Sequence, residues 1–188
     1  MNLQLLLEKY NIKADVNMLL DMWNESHRHF HNLDHLSDVI EQINESYGNK
    51  KIDEKQREKL YLTALFHDVI YEPSRNDNEE RSAEFFMNVC EDKSNKDILE
   101  IRDAILDTKT HESKTPLAET FNKFDMNVIE RDFSSLLKWE EGIYGEYKSY
   151  GNEAYKAGRL HFLESLLDKY TQNTDNLLKL IDWVKSNY

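Results

Sequence analysis

Cysteine is almost missing from this chain: Cys90 is the only one in 188 residues. An intrachain disulfide and a cysteine-built zinc cluster are therefore excluded. Proline (two) and glycine (five) are nearly as scarce. So few backbone punctuators favour long helices over a sandwich of short strands, and the expected class is all-α. No apolar run approaches the ~18 residues of a membrane-spanning helix. The opening Met1–Tyr10 has no basic leader and too short an apolar stretch for a signal peptide, so the expected location is cytoplasmic, away from membranes. Positive charge is also in deficit, with 24 Lys and Arg against 36 Asp and Glu and a net charge of −12. A broad nucleic-acid surface needs clustered cations to displace counterions, and this balance argues against one. A small phosphorylated substrate remains compatible, because one local cluster around a cation suffices.

Hydrophobic residues make up 39% and charged residues 32%, the balance of a soluble globular protein. The length suits one domain over residues 1–188. Nothing in the sequence sets an oligomeric state.

One stretch organises the rest: Leu60 to Tyr71, Leu-Tyr-Leu-Thr-Ala-Leu-Phe-His-Asp-Val-Ile-Tyr. His67 and Asp68 sit side by side in an apolar run, which is costly unless both have partners. A hydrogen-bonded pair capping a buried helix would satisfy them. So would a divalent cation, since imidazole nitrogen and carboxylate oxygen are ordinary metal ligands.

Upstream, Leu3, Leu6, Leu7 and Tyr10 predict one helix, and Val16, Leu19, Leu20 and Trp23 a second. Four of the seven histidines fall between His27 and His35. Asn32 is an N-cap residue for a helix with Leu33, Leu36, Val39, Ile40, Ile43 and Tyr47 inward, ended by Gly48. His35 lies at the edge of that buried face, one turn before Val39, and His31 at the helix mouth. Lys50 to Glu58 reads as a charged connection. Downstream, Glu72 to Asp77 is a loop, and Asn78 can cap a helix from Glu79 with Phe85, Phe86 and Val89 inward. Arg81 falls in its first turn, where an arginine opposes the helix dipole and could instead meet a phosphate. Ile98, Ile101 and Ile105 mark a helix leading to Asp107-Thr-Lys-Thr-His111. Thr115-Pro116 starts another, with Leu117, Phe121, Phe124 and Val128 buried. Asp125 projects about 60° from the centre of that face and Asn127 about 100°. Asp125 is thus the charge most nearly directed inward. The remaining helices, through Leu136, Ile143 and Tyr147, through Tyr155, Arg159, Phe162, Leu163 and Leu166, and through Leu177, Leu180, Ile181 and Val184, read as core.

Three helices therefore each offer inward ligands: His35 (or His31), the pair His67-Asp68, and Asp125. This mixed N/O set suits Mn, Fe, Co, Ni, Zn or Mg with water completing the shell.

These ordered motifs resemble the HD-domain superfamily, helical bundles that act as metal-dependent phosphohydrolases and carry a histidine, a His-Asp pair and a distant aspartate. The chain is most similar to a bacterial branch of predicted HD phosphohydrolases. Its His-Asn-Leu-x-His opening is matched by His31 to His35, and its His-Asp-x-x-Tyr by His67 to Tyr71. Asn-Glu-Glu-Arg-Ser is matched by Asn78 to Ser82, and Thr-x-x-His by Thr108 to His111. Glu146-Tyr147 and Gly158-Arg159 match later elements. The resemblance implies an HD-type bundle with His35, His67 and Asp68 as metal ligands. It leaves the last ligand between Asp125 and Asn127, because the branch usually has Asp-x-Asp-Leu where this chain has Asp125-Met-Asn127-Val. The implied activity is hydrolysis of a phosphate ester or nucleotide. Asp68 orients the water, and His111 or His31 protonates the leaving group or holds a second metal. Arg81, Lys109 or Arg159 neutralises phosphate oxygens. A catalytically weak metal- or nucleotide-binding sensor is the alternative that Asn127 raises. An oxygen-using di-iron site, with His31 and His111 as extra ligands, is a third reading.

Overall fold

A computed structural model describes residues 1–188 and shows an all-α chain of ten helices without strands. The helices are α1 (Leu3–Lys9), α2 (Val16–Trp23), α3 (Leu33–Gly48), α4 (Glu54–Phe66), α5 (Asn78–Val89), α6 (Lys96–Asp107), α7 (Pro116–Asp125), α8 (Phe133–Tyr147), α9 (Asn152–Leu166) and α10 (Thr174–Asn187). They gather into two compact units. One comprises Met1–Ser26 with His31–Asp125, and the other His27–Phe30 with Met126–Tyr188.

In the first unit α4 is the central element, packed by α3, α5, α6 and α7. Every residue from Glu58 to Phe66 is buried, which is what an apolar, all-round helix requires of its neighbours. Leu60, Leu62, Leu65 and Phe66 are at most 1% exposed, and each such side chain contributes about 1.5–3 kcal/mol by leaving water. The charged stretch before this run is already helical from Glu54. Asp53 accepts from the Gln56 N–H while the Gln56 side chain accepts from the Asp53 N–H, a reciprocal cap that the charge pattern hid. The two charges buried in α4 are paired, Glu58 with Lys9 at 2.6 Å and Lys59 with Glu100 at 2.7 Å.

Local signals fix other boundaries. Asn32 Oδ1 accepts from the Asp34 and His35 N–H groups and so starts α3. Thr115 Oγ1 accepts from the Ala118 N–H, with Pro116 as the first residue of α7. Asn78 behaves differently from expectation. It lies inside α5, and its amide bonds both the N–H and the carbonyl of Glu72 at 3.0 Å, closing the 72–77 loop rather than capping the helix.

The second unit has its own core, in which Leu136, Leu163, Leu177, Leu180 and Val184 are fully buried. A 3-10 turn, Asn127–Glu130, precedes α8. The segment His27–Phe30 belongs to this unit because Glu146, buried on α8, accepts from the N–H groups of His29 (2.8 Å) and Phe30 (2.7 Å). Gly142 and Gly145 permit the approach. A Cβ on Gly145 would lie 2.8 Å from the His29 ring, and one on Gly142 would lie 3.0 Å from the Phe30 Cβ.

Candidate metal centre

Three helix ends meet inside the first unit. His35 stands in the first turn of α3, where the Asn32 cap fixes its backbone. His67 is the cap at the end of α4 and Asp68 the first residue beyond it. Consecutive residues within a helix diverge by about 100° and cannot share a target. Leaving the helix here resolves that conflict. The His67 N–H keeps its bond to the Thr63 carbonyl, the Val69 N–H turns back to Phe66, and both side chains face one point. Asp125 is the last residue of α7, whose Leu117 and Phe121 are buried in the core.

The donor atoms of His35, His67 and Asp68 all lie within 4.8 Å of one another, and this group could hold a metal ion. His35 Nε2 and His67 Nε2 are 3.4 Å apart, and His67 Nε2 is 3.3 Å from Asp68 Oδ2. Asp125 Oδ1 lies 3.0 Å from His35 Nε2 and 3.4 Å from His67 Nε2. Ligands held ~2.1 Å from a common ion stand about 3.0–3.4 Å apart at octahedral or tetrahedral edges, so these spacings fit a shared cation.

The His67 ring is oriented for that task. Its Nδ1–H donates to the Ala64 carbonyl at 2.9 Å, which leaves Nε2 facing the cluster. Trp23 and Phe121 pack against the ring at centroid distances of 5.2 and 5.0 Å, and Trp23 is itself fixed by its Nε1–H bond to the Leu65 carbonyl. Burial opposes charging of His67, but the Asp68 and Asp125 carboxylates outweigh it and raise its pKa to about 9. Burial likewise opposes the Asp125 charge, yet hydrogen bonds from His111, His35 and His67 hold that carboxyl well below its ordinary value. Without a cation, the cluster is thus an imidazolium between carboxylates. The donor chemistry and this concentrated negative charge fit a divalent ion.

Within the first unit, not every candidate joins the cluster. His111 does: its Nε2 lies 3.0 Å from Asp125 Oδ2. His31 stacks on Tyr71 at 4.3 Å, its ring centroid 6.1 Å from that of His35. Arg81 is exposed on α5. Lys109 Nζ donates to the Asn76 carbonyl at 2.6 Å and to Glu80. Asn127 opens the 3-10 turn of the second unit. Arg159 is also in the second unit, where its Nε donates to Glu140 at 2.6 Å and its guanidinium lies over Trp139 at 4.1 Å. Both partners of that ion pair are buried.

The sequence reading missed the supports. Ser82 Oγ donates to the Ile70 carbonyl and accepts from the Ile70 N–H, both at 3.1 Å. With Asn78 one turn earlier on the same face of α5, it pins the backbone that leaves Asp68. The sequence offered Asn78 as a helix cap and Ser82 only as the end of the Asn78–Ser82 motif, with no sign that either would bond the backbone of Ile70 or Glu72.

Comparison of the chain with protein-family models, with curated proteins and with solved structures finds no match.

Proposed function

We propose that this chain is a metal-dependent phosphohydrolase acting on a small phosphate ester or nucleotide. The observation that carries the reading is the convergence of His35, His67 and Asp68 on one buried point, with Asp125 in reach of both imidazoles. The motif resemblance supplies the reaction class, as analogy. A divalent ion bound there would supply Lewis acidity and a water of lowered pKa. His35, His67, Asp68 and Asp125 would hold it. Asp68 and Asp125, with side chains 13% and 11% exposed against 4% for His35 and 1% for His67, are the ligands nearest solvent, and Asp68 would orient the water. His111 holds a proton at Nε2 for the leaving oxygen. Arg81, exposed on the same unit, would supply positive charge for the phosphate, and Lys109 would do so on leaving its Asn76 and Glu80 partners.

Bound metal and hydrolysis rates over a panel of nucleotides and phosphate esters, measured for wild type, His67→Ala and Asp68→Ala, test this. The expected result is metal and turnover in the wild type and loss of both in the variants. Equal rates in all three would overturn the reading. Asp125, in reach of both imidazoles, fills the acidic position, so the amide at position 127 leaves a sensor as the alternative outcome of the test. Tight nucleotide binding without turnover, in both wild type and Asn127→Asp, would establish that one.

A further inference from the structure

His111 and Ser113 both adopt the left-handed backbone region, with φ of +50° and +58°. A residue with a Cβ is uncommon there, and glycine would occupy either position more cheaply. The loop between α6 and α7 must therefore be held from outside, and the holding group is Asp107, buried at the end of α6. Its carbonyl accepts from the N–H groups of Thr110 (3.2 Å) and His111 (2.7 Å). Its carboxylate accepts from the N–H groups of Ser113 (2.9 Å) and Lys114 (3.3 Å) and from Asn122 Nδ2 (2.7 Å). Asn122 Nδ2 also reaches Ser113 Oγ at 3.2 Å. One carboxylate and one amide thus tie down both sides of His111.

Asn122 stands three residues before Asp125 on α7, and residues at that spacing share a helix face. The helix that braces the loop therefore also carries the carboxylate that His111 meets at 3.0 Å. Burying a charge to hold a strained loop is an expensive way merely to join two helices. It makes sense where one imidazole must stand at a fixed distance from one carboxylate.

We propose that Asp107 and Asn122 are positioning residues that hold His111 against Asp125. The kinetic consequence rests on the hydrolytic reading above; the geometric one does not. The decisive measurement is side-chain ¹H–¹⁵N NMR of the histidines in metal-free protein, with His111→Ala assigning the ring. The wild type should show a slowly exchanging Nε2–H on His111. Asp107→Ala should lose it and give the averaged signals of a mobile imidazole. Asp107→Asn keeps an oxygen for Ser113 and Asn122 and should retain it. Should Asp107→Ala fail to fold, Asn122→Ala serves instead, with a weakened or lost signal expected. Unchanged His111 signals in Asp107→Ala or Asn122→Ala, whatever the melting temperature does, would overturn the proposal.

Where turnover is present, Asp107→Ala should lower kcat about tenfold or more with KM within about twofold. In a His111→Ala background the same change should lower kcat no further. An equal fall in both backgrounds would overturn positioning through His111. Absence of turnover in the wild type would count against the hydrolase alone, and the ring signals would still decide this point.

Discussion

Asp125 and His111 meet through a 3.0 Å contact between Oδ2 and Nε2, while the other oxygen, Oδ1, faces His35 and His67. The carboxylate thus divides its two oxygens between the candidate metal centre and the candidate proton donor. Asp125→Ala should lower metal affinity by more than about 100-fold, the range in which losing a direct ligand exceeds losing an outer-shell partner. Asn127→Ala should change it by less than about threefold. Calorimetric titration with Mn²⁺ or Zn²⁺ distinguishes the two. The reverse ranking would transfer the ligand role to position 127.

The His67 pKa of about 9 gives the site a pH signature. A metal needs the neutral imidazole at Nε2, so binding below pH 9 displaces a proton. Apparent affinity should rise up to about tenfold per pH unit toward pH 9 and then level off. Metal-free protein should behave in the opposite sense. The folded pKa lies above the unfolded value of 6.5, so the His67 contribution is fully present below that value. It is lost as pH rises through about 9, and amounts to about 3 kcal/mol. Melting curves with chelator should therefore fall between pH 6.5 and 9, while curves with saturating metal should not. A flat chelator profile would mean that the carboxylates do not hold His67 charged.

Arg159 offers a separate test of the second unit. Its Nε–H donates to Glu140, which also accepts from the Tyr155 hydroxyl at 2.6 Å and is completely buried. Removing the cation strands a buried carboxylate, so Arg159→Met should cost about 3–5 kcal/mol in a urea melt. The double variant with Glu140→Gln should recover part of this. A phosphate-binding role would instead raise KM while leaving the melt unchanged.

The sequence carried the site further than it carried the supports. His67 and Asp68 stood out because an apolar run makes polar residues conspicuous, and Asp125 stood out because helical geometry turns it inward. Asn32 and Thr115-Pro116 were legible because caps act within three residues. Asp107 with Asn122, Ser82 with Ile70 and Glu140 with Arg159 were not. Each is a polar residue whose burial is decided by a partner twelve to nineteen residues away. The division into two units was hidden for the same reason. Glu146 takes hold of His29 across 117 positions, and nothing near either residue announces it.

That remote grip yields a contrast between glycines. Gly145 and Gly142 lie on the face of α8 that receives His29 and Phe30, and a Cβ on Gly145 would stand 2.8 Å from His29 Cγ and 3.1 Å from its Cβ. Rotating the ring away relieves the first contact but not the second. Gly145→Ala should therefore destabilise by about 1–3 kcal/mol, the range for overpacking. A His29→Ala change made together with it should recover part, since it removes the ring but leaves the Cβ. Gly158, in the middle of α9, has nothing within 4 Å of where its Cβ would be. There alanine only improves helix propensity, so Gly158→Ala should stabilise by about 0.5–1 kcal/mol. Urea melts of the two single variants should move in opposite directions. If both moved upward, the His27–Phe30 segment would not be seated against α8, and Glu146 would have no reason to be buried there.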